Sequence, residues 1–255
     1  MYPEWLNEIL RCPGTLNKME IKGSNFVTGK KIYQVKDDIL SIVFPDELSG
    51  SDAKYNRIYK YLAPFYDLNE RVWSRLLFGI DLAEGRKQIV GLLGLKPGMR
   101  LLEVSPGPGV FQKLLRHEIS DTGDLVALDL SMEMLRQCQK KNKDLNVHLV
   151  QGNAQYLPFE DGCFDALFHF GGVNLFNDPA KAIDEFIRVV KKDGIVSWGD
   201  EGISESYSNE TRKKIAARIN PGFLKTPPAT PGTVYNSKKY DVYGGLAYLV
   251  VANKR

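Results

Sequence analysis

The chain has 255 residues, of which 43% are hydrophobic and 25% are charged. Its 34 lysines and arginines stand against 31 aspartates and glutamates, a formal net charge of +3 that excludes the strongly basic proteins dedicated to nucleic-acid binding. A chain of this length and composition can bury a full core as one large domain, or as a main domain with an appendage.

The N-terminus and the cysteines indicate where the protein works. No basic segment followed by an apolar one opens the chain, and no window reaches the ~18 uninterrupted apolar residues of a membrane span. Cys12, Cys138 and Cys163 are spaced too widely for a disulfide framework or a Cys-X-X-Cys metal site. We therefore expect a soluble, unprocessed protein of the reducing cytoplasm.

Residues 1–48 predict a short helix followed by a small sheet. The segments "KIYQV" and "ILSIVF" are rich in β-branched and aromatic residues, and turn-forming residues separate them. Pro45 and the polar stretch "DELSGSDAK" end this region. We interpret residues 1–48 as a β-rich appendage and residues 49–255 as the main domain.

Residues 52–95 predict at least two helices, because Pro64 interrupts a run of aromatic and aliphatic residues at helical spacing. The simplest explanation of this aromatic concentration is core packing. The alternative is a helical lid over an apolar ligand. Its lining would be Tyr55, Tyr61, Phe65 and Tyr66.

A regular alternation of strands and helices begins near residue 99. The apolar segments "MRLLEV", "DLVALDL", "NVHLVQG", "CFDALFHF" and "GIVSWGDE" predict five strands. Ile183, Phe186, Ile187 and Val190 form the apolar stripe of the last intervening helix, which "KKDG" is expected to end. Such alternation is typical of a parallel sheet with helices on both faces.

The tail departs from this alternation. "NETRKKIAARI" predicts a helix, and "YDVYGGLAYLVVANK" predicts two strands joined at Gly244 and Gly245. A closing hairpin would make the last strand antiparallel. The fold class is therefore α/β, with a doubly wound, seven-stranded, mostly parallel sheet.

The loop "SPGPG", residues 105–109, follows the first parallel strand and opens a helix, which is where ligands bind in open α/β sheets. Gly107 and Gly109 allow close approach, and a helix N-terminus attracts anionic groups. Because Pro106 follows Ser105, we expect an extended backbone at Ser105, whose hydroxyl could then bind a ligand carboxylate.

A dinucleotide fingerprint is only partly present. Gln112 stands where the third glycine of G-x-G-x-x-G belongs. Asp129 ends the second strand 20 residues after Gly109, a position suited to ribose hydroxyls of NAD or of another adenosine-containing ligand. A plain strand-end cap is the structural alternative for Asp129.

The segment "GNAQYLPFEDGCFDALFHF" separates these possibilities. Together with the glycine loop and Asp129, it resembles the class I S-adenosylmethionine-dependent methyltransferases over residues 55–200, in particular the type 11 group. "YDLNERVW" is similar to the N-terminal helix of the ubiquinone and menaquinone C-methyltransferases. The resemblance implies a Rossmann-like methyltransferase fold that binds S-adenosylmethionine and releases S-adenosylhomocysteine.

The resemblance also implies cofactor-binding residues. Around the methionine part these are Glu103, Ser105, Gly107 and Gly109; Asp129 binds the ribose; Leu130, Asn153 and Ala154 surround the adenine; Tyr66 and Phe170 pack near the cofactor. Asn153 stands where an aspartate is usual, and its amide still offers an acceptor oxygen. Ser105 replaces the usual first glycine, and "GGVNLFND" replaces a segment that often contains histidine.

A second resemblance concerns the appendage. "LRCPGTLNKMEI" and "YQVKDDILSIV" look like the zinc-ribbon module of some rRNA guanine methyltransferases and methyltransferase activator proteins. Zinc needs about four ligands, and only Cys12 remains of the Cys-X-X-Cys pairs. We predict a remnant without metal.

Methyl transfer requires no catalytic triad or metal, but a base helps with some acceptors. The candidates are His169, Asp200 and Glu201, for which core packing or a solvated turn is the plain alternative. We expect a methyltransferase acting on a small, apolar or lipid-like acceptor. An rRNA or tRNA base methyltransferase, a catalytically silent partner protein and an NAD-dependent oxidoreductase are the alternatives.

Overall fold

A computed structural model describes residues 2–23, 25–29, 31–46, 48–62, 81–205, 207–219 and 221–255. Its strands are β1 (Glu20–Lys22), β2 (Asn25–Thr28), β3 (Lys31–Lys36), β4 (Ile39–Ile42), β5 (Arg100–Val104), β6 (Asp124–Asp129), β7 (His148–Gly152), β8 (Phe164–Phe170), β9 (Val190–Glu201), β10 (Val234–Val242) and β11 (Ala247–Lys254). Within the described residues these strands join in the order β1-β2-β3-β4-β7-β6-β5-β8-β9-β11-β10.

Seven α-helices lie within the described residues, and several of them begin after a residue whose side chain caps the first turn. They are α1 (Glu4–Ile9), α2 (Gly50–Leu62), α3 (Leu82–Leu92), α4 (Gln112–Ile119), α5 (Met132–Lys141), α6 (Pro179–Val189) and α7 (Glu210–Ile219). The side chains of Asp81, Ser131 and Asp178 accept hydrogen bonds from first-turn N–H groups of α3, α5 and α6. None of the described helices is both long and apolar enough to cross a membrane.

The centre of the sheet is parallel, and its apolar strands are buried on both faces. β7, β6, β5, β8 and β9 run in the same direction, whereas β11 lies antiparallel between β9 and β10. Leu102 and Val104 share a core with α6, and Leu101 shares another with α3 and α4. The predicted α/β fold with a mixed sheet is confirmed, and the carboxyl ends of the parallel strands meet at one edge.

One predicted helix end is wrong. "KKDG" was expected to stop the helix, but α6 ends at Val189 and β9 begins at Val190. Val190 therefore belongs to the sheet rather than to the helical stripe. The helix ends early because Val190 has an extended backbone, with φ −82° and ψ 143°, and pairs with Phe164 of β8.

The N-terminal strands extend the main sheet. β4 pairs in parallel with β7, and the hydroxyl of Tyr2 accepts a hydrogen bond from the Leu40 N–H at 2.7 Å. The N–H of Arg11 donates to the Pro158 carbonyl at 2.9 Å, so α1 is also tied to the loop after β7. The strands of residues 1–48 therefore continue the main sheet. The division of the chain into an appendage and a main domain stays a prediction.

The zinc-ribbon resemblance stays a prediction as well. Cys12 is buried, and its Sγ lies 3.5 Å from the hydroxyl of Tyr33. Among the described residues, no group of three or more His, Cys, Asp or Glu side chains is placed to hold a metal ion.

Leu40→Ala tests whether the N-terminal strands unfold together with the main sheet. Leu40 is fully buried in β4 opposite Val150 of β7. Its truncation is expected to lower the free energy of unfolding by about 2–5 kcal/mol. The control is Ile32→Ala on β3, where the side chain is 60% exposed, and its cost should stay below about 1 kcal/mol. Urea unfolding followed by circular dichroism measures both; equal stability of the two variants would contradict a common unfolding unit.

Candidate cofactor site

The backbone turns sharply where β5 ends. The Ser105 N–H donates to the Leu128 carbonyl at 2.7 Å, which continues the β5–β6 ladder by one residue. Ser105 then has φ +56°, in the left-handed region, so the predicted extended backbone is wrong. The ladder and the turn into α4 override the local preference that Pro106 imposes. Serine thus occupies a conformation that glycine adopts without strain.

The two glycines of the loop have different roles. Gly109 has φ +76°, and a Cβ there would clash with Asn142 Nδ2 and lie 2.7 Å from Cys138 Sγ, so glycine lets α5 pack against the loop. Asn142 Nδ2 also donates to the Gly109 carbonyl at 3.0 Å. A Cβ at Gly107 would meet no atom of the described residues within 4 Å, so none of these residues requires glycine there for packing.

Asp129 joins the loop to the end of β6. One carboxylate oxygen accepts the Gly107 N–H at 3.1 Å, and the other accepts the Ser131 N–H at 2.9 Å. Burial raises the pKa of Asp129 to about 6, and these backbone hydrogen bonds oppose the rise. At neutral pH the group is mainly ionised, and each oxygen keeps a further acceptor position. The arrangement fits two neighbouring hydroxyl donors such as those of a ribose.

Glu103 lies beneath the loop. It is 2% exposed, and it adjoins Gln112 of α4 and Cys138 of α5. Burial raises the pKa of Glu103 to about 8, so its carboxyl is mainly neutral at pH 7. Glu103 is thus a buried, mainly protonated side chain next to α4 and α5, and its expected contact with the cofactor stays a prediction.

Asn153 follows β7 and is 2% exposed. Its Oδ1 accepts the Gln155 N–H at 3.0 Å, and its Nδ2 donates to Asp52 of α2 at 3.0 Å. Sequence reasoning missed Asp52, although an acid in the first turn of a predicted helix was visible. Ala154 is buried beside Asn153, and the Leu130 carbonyl accepts from Gln151 Nε2 at 3.1 Å.

The structure describes some of the aromatic residues expected near the cofactor and not others. Phe170 packs against Phe111 at 5.7 Å and against Tyr243 at 5.8 Å between ring centroids. Tyr55 lies on α2, with Lys54 Nζ 5.4 Å from its ring centroid. Phe65 and Tyr66, together with the side chain of Tyr61, lie outside the described residues. The lid stays a prediction.

The three candidate bases differ in what they contact. Asp200 accepts the N–H groups of Gly172, Asn174 and Glu201 at 2.8, 2.9 and 2.8 Å, so it anchors the loop after β8. Glu201 is exposed at the end of β9. Asp200 therefore has a structural explanation, and the loop it anchors borders the site.

His169 is fully buried, and its Nδ1 lies 3.0 Å from the Val104 carbonyl. Because a carbonyl can only accept, the proton is assigned to Nδ1, which leaves Nε2 as an acceptor. Burial lowers the pKa of His169, so the ring is neutral. Trp198 pairs with His169 across β8 and β9. Among the described residues, neither His169 Nε2 nor Trp198 Nε1 has a hydrogen-bond partner.

Comparisons with known proteins agree with this geometry. Residues 102–197 match the family model described as a methyltransferase domain. Those residues are a methyltransferase domain. Its range holds the glycine loop, Asp129, Asn153 and His169, so the resemblance to class I S-adenosylmethionine-dependent methyltransferases is confirmed for this part of the chain.

A curated relative matches the chain over a longer stretch than the family model does. The chain is 33% identical over 151 residues to the demethylmenaquinone methyltransferase of Renibacterium salmoninarum, covering 59% of this chain and 56% of that protein. The chain thus spans little more than half the length of this curated relative.

Solved structures share the fold of the methyltransferase domain. A phosphoethanolamine N-methyltransferase of Haemonchus contortus, solved with S-adenosylmethionine, has a TM-score of 0.61 at 17% identity. The match covers 83% of this chain and 61% of that chain. A S-adenosylmethionine-dependent methyltransferase of Aquifex aeolicus has a TM-score of 0.53 at 20% identity, covering 81% of this chain and 100% of that chain.

Glu103→Gln tests whether Glu103 is buried and protonated. The pKa of Glu103 is near 8 when folded and has a reference value of 4.5, so the native state retains a proton in this interval that the unfolded chain has released. This contribution to stability is complete below the lower value and is lost as pH rises through the upper one. Between about pH 6.5 and pH 9 the wild type is expected to lose about 2 kcal/mol more than Glu103→Gln.

Urea unfolding at the two pH values measures this difference. Glu20→Gln on β1 is the control, because its side chain is 76% exposed, and it should follow the wild type. The same pH dependence in wild type and Glu103→Gln would contradict a buried, protonated Glu103.

Proposed function

We propose that this chain binds S-adenosylmethionine at the Ser105–Gly109 loop and methylates a small, apolar or lipid-like acceptor. The observation that carries the proposal is Asp129, whose carboxylate holds the loop and keeps acceptor capacity for a ribose. The matched methyltransferase domain contains the same residues. A relative named demethylmenaquinone methyltransferase supports a lipid-like quinone acceptor.

Different residues of the chain would bind the ribose, the adenine and the methionine part of the cofactor. Asp129 would accept hydrogen bonds from the ribose, and Leu130, Asn153 and Ala154 would border the adenine. Ser105, Gly107 and Gly109 would adjoin the methionine part, together with the buried, neutral carboxyl of Glu103. When bound, S-adenosylmethionine supplies a methyl group activated by a positively charged sulfur.

We place the methyl acceptor next to His169 and Trp198. His169 Nε2 is an acceptor and Trp198 Nε1 a donor, and both are buried without a partner among the described residues. A buried polar atom without a partner costs about 1–3 kcal/mol, and an acceptor hydroxyl that reached either atom would offset this cost there. By taking the hydroxyl proton, Nε2 makes an oxygen or an adjacent aromatic carbon more nucleophilic.

Transfer of label from S-adenosylmethionine carrying a tritiated methyl group tests this function. Purified protein is incubated with cell extract, and the lipid, RNA and small-molecule fractions are counted. We expect label in the lipid fraction. Asp129→Asn should lower the rate at least about tenfold, because a charged hydrogen-bond acceptor is lost. Asp144→Asn, on an exposed loop, is the control and should retain the rate.

Two outcomes would overturn the proposal in different ways. Label confined to RNA would replace the acceptor class by a nucleic-acid base. Calorimetric binding of NADH, without binding of S-adenosylhomocysteine, would replace the methyltransferase by an oxidoreductase.

A further inference from the structure

We infer that Asp52 is a positioning residue of the adenine subsite, and that Asn153 is its matched neutral partner. The inference rests on the proposed function, because it concerns the same cofactor. It adds a residue from α2, outside the matched methyltransferase domain, to the residues that decide how adenine is held.

The carboxylate of Asp52 collects donors from two loops. Its Oδ2 accepts from Asn153 Nδ2 at 3.0 Å and from Gln155 Nε2 at 2.7 Å. Its Oδ1 accepts the Asn177 N–H at 3.2 Å. Asp52 is only 6% exposed, so these hydrogen bonds compensate a carboxylate that has lost most of its water.

Asn177 completes the connection in the opposite direction. Its Oδ1 accepts the Ser51 N–H at 2.6 Å and the Asp52 N–H at 3.3 Å, and its Nδ2 donates to the Ser49 carbonyl at 3.0 Å. The loop after β8 therefore caps α2, while Asp52 of α2 holds that loop and the loop after β7. The first turn of α2 is fixed to the site from both sides.

Asp52 explains why residue 153 is an asparagine. An aspartate at 153 would bring a second carboxylate within hydrogen-bond distance of Asp52, and two such groups repel each other when ionised. The amide instead donates Nδ2 to the carboxylate. The chain thus keeps one carboxylate at this place but carries it on α2 rather than on the loop after β7.

The contact also fixes the direction of the Asn153 amide. A carboxylate accepts only, so Nδ2 must face Asp52 and Oδ1 must face Gln155. The Gln155 N–H, a donor, requires the same direction at Oδ1, so Asp52 and Gln155 hold the amide together. Since the donor and acceptor of an amide read different groups of a purine, Asp52 contributes to the preference of the subsite for one purine over another.

Calorimetric titration of four proteins tests the pair: wild type, Asp52→Asn, Asn153→Asp and the double exchange D52N/N153D. The probes are S-adenosylhomocysteine and S-inosylhomocysteine, in which oxygen replaces the adenine amino group. Each single substitution is expected to weaken S-adenosylhomocysteine binding by about tenfold or more, because a charge-assisted hydrogen bond is lost. The double exchange should recover most of the affinity.

Preference for adenine separates positioning from a general structural effect. The wild type should prefer S-adenosylhomocysteine to S-inosylhomocysteine, and Asp52→Asn should show a weaker preference, because one of the two contacts that hold the Asn153 amide is lost. Asp46→Asn removes an exposed carboxylate paired with Lys31 and should leave affinity and preference unchanged. Thermal unfolding of each variant shows whether it is folded at the temperature of the titration.

The results distinguish this inference from the proposed function. If the wild type does not bind S-adenosylhomocysteine, the proposed function fails. If the wild type binds and Asp52→Asn binds with the same affinity and preference, only the role of Asp52 fails. A double exchange no better than Asn153→Asp would likewise contradict the matched pair, and unfolded single variants with a folded, binding double exchange would support it.

Discussion

The carboxylate of Asp129 connects three elements on which the candidate site depends. It accepts the Gly107 N–H of the loop and the Ser131 N–H at the start of α5, and it stands at the end of β6. Ser131 in turn caps α5, and Cys138 of α5 packs against Gly109. A carboxylate held by backbone donors cannot move without moving the loop, so the ligand side of the site is preorganised.

The buried acids near Asp129 differ in their charge because their surroundings differ. Glu103 beneath the loop is mainly neutral at pH 7, whereas Asp129 is mainly ionised because the backbone hydrogen bonds limit its pKa rise. Asp52 is surrounded by amide donors from Asn153 and Gln155. Each buried acid thus has a different environment, and the one that faces the proposed ribose keeps its negative charge.

Much of the fold follows from local sequence, whereas the exceptions depend on contacts between distant residues. Apolar segments predicted β5 to β9, and the side chain of Ser131 caps the helix that directly follows it. The extended backbone expected at Ser105 was wrong because the β5–β6 ladder outweighs the influence of the following proline. Asp52 and Asn153 are 101 positions apart, so no local pattern indicated their contact. The pairing of β4 with β7 is another long-range contact of this kind.

A crystal structure of the full chain with S-adenosylhomocysteine tests the central claim most directly. The quantity to measure is the distance from the Asp129 carboxylate oxygens to the ribose hydroxyl oxygens. The account predicts at least one such distance below about 3.2 Å, with the Gly107 and Ser131 hydrogen bonds retained. A ribose bound elsewhere, with Asp129 bonded only to those two N–H groups, would contradict it.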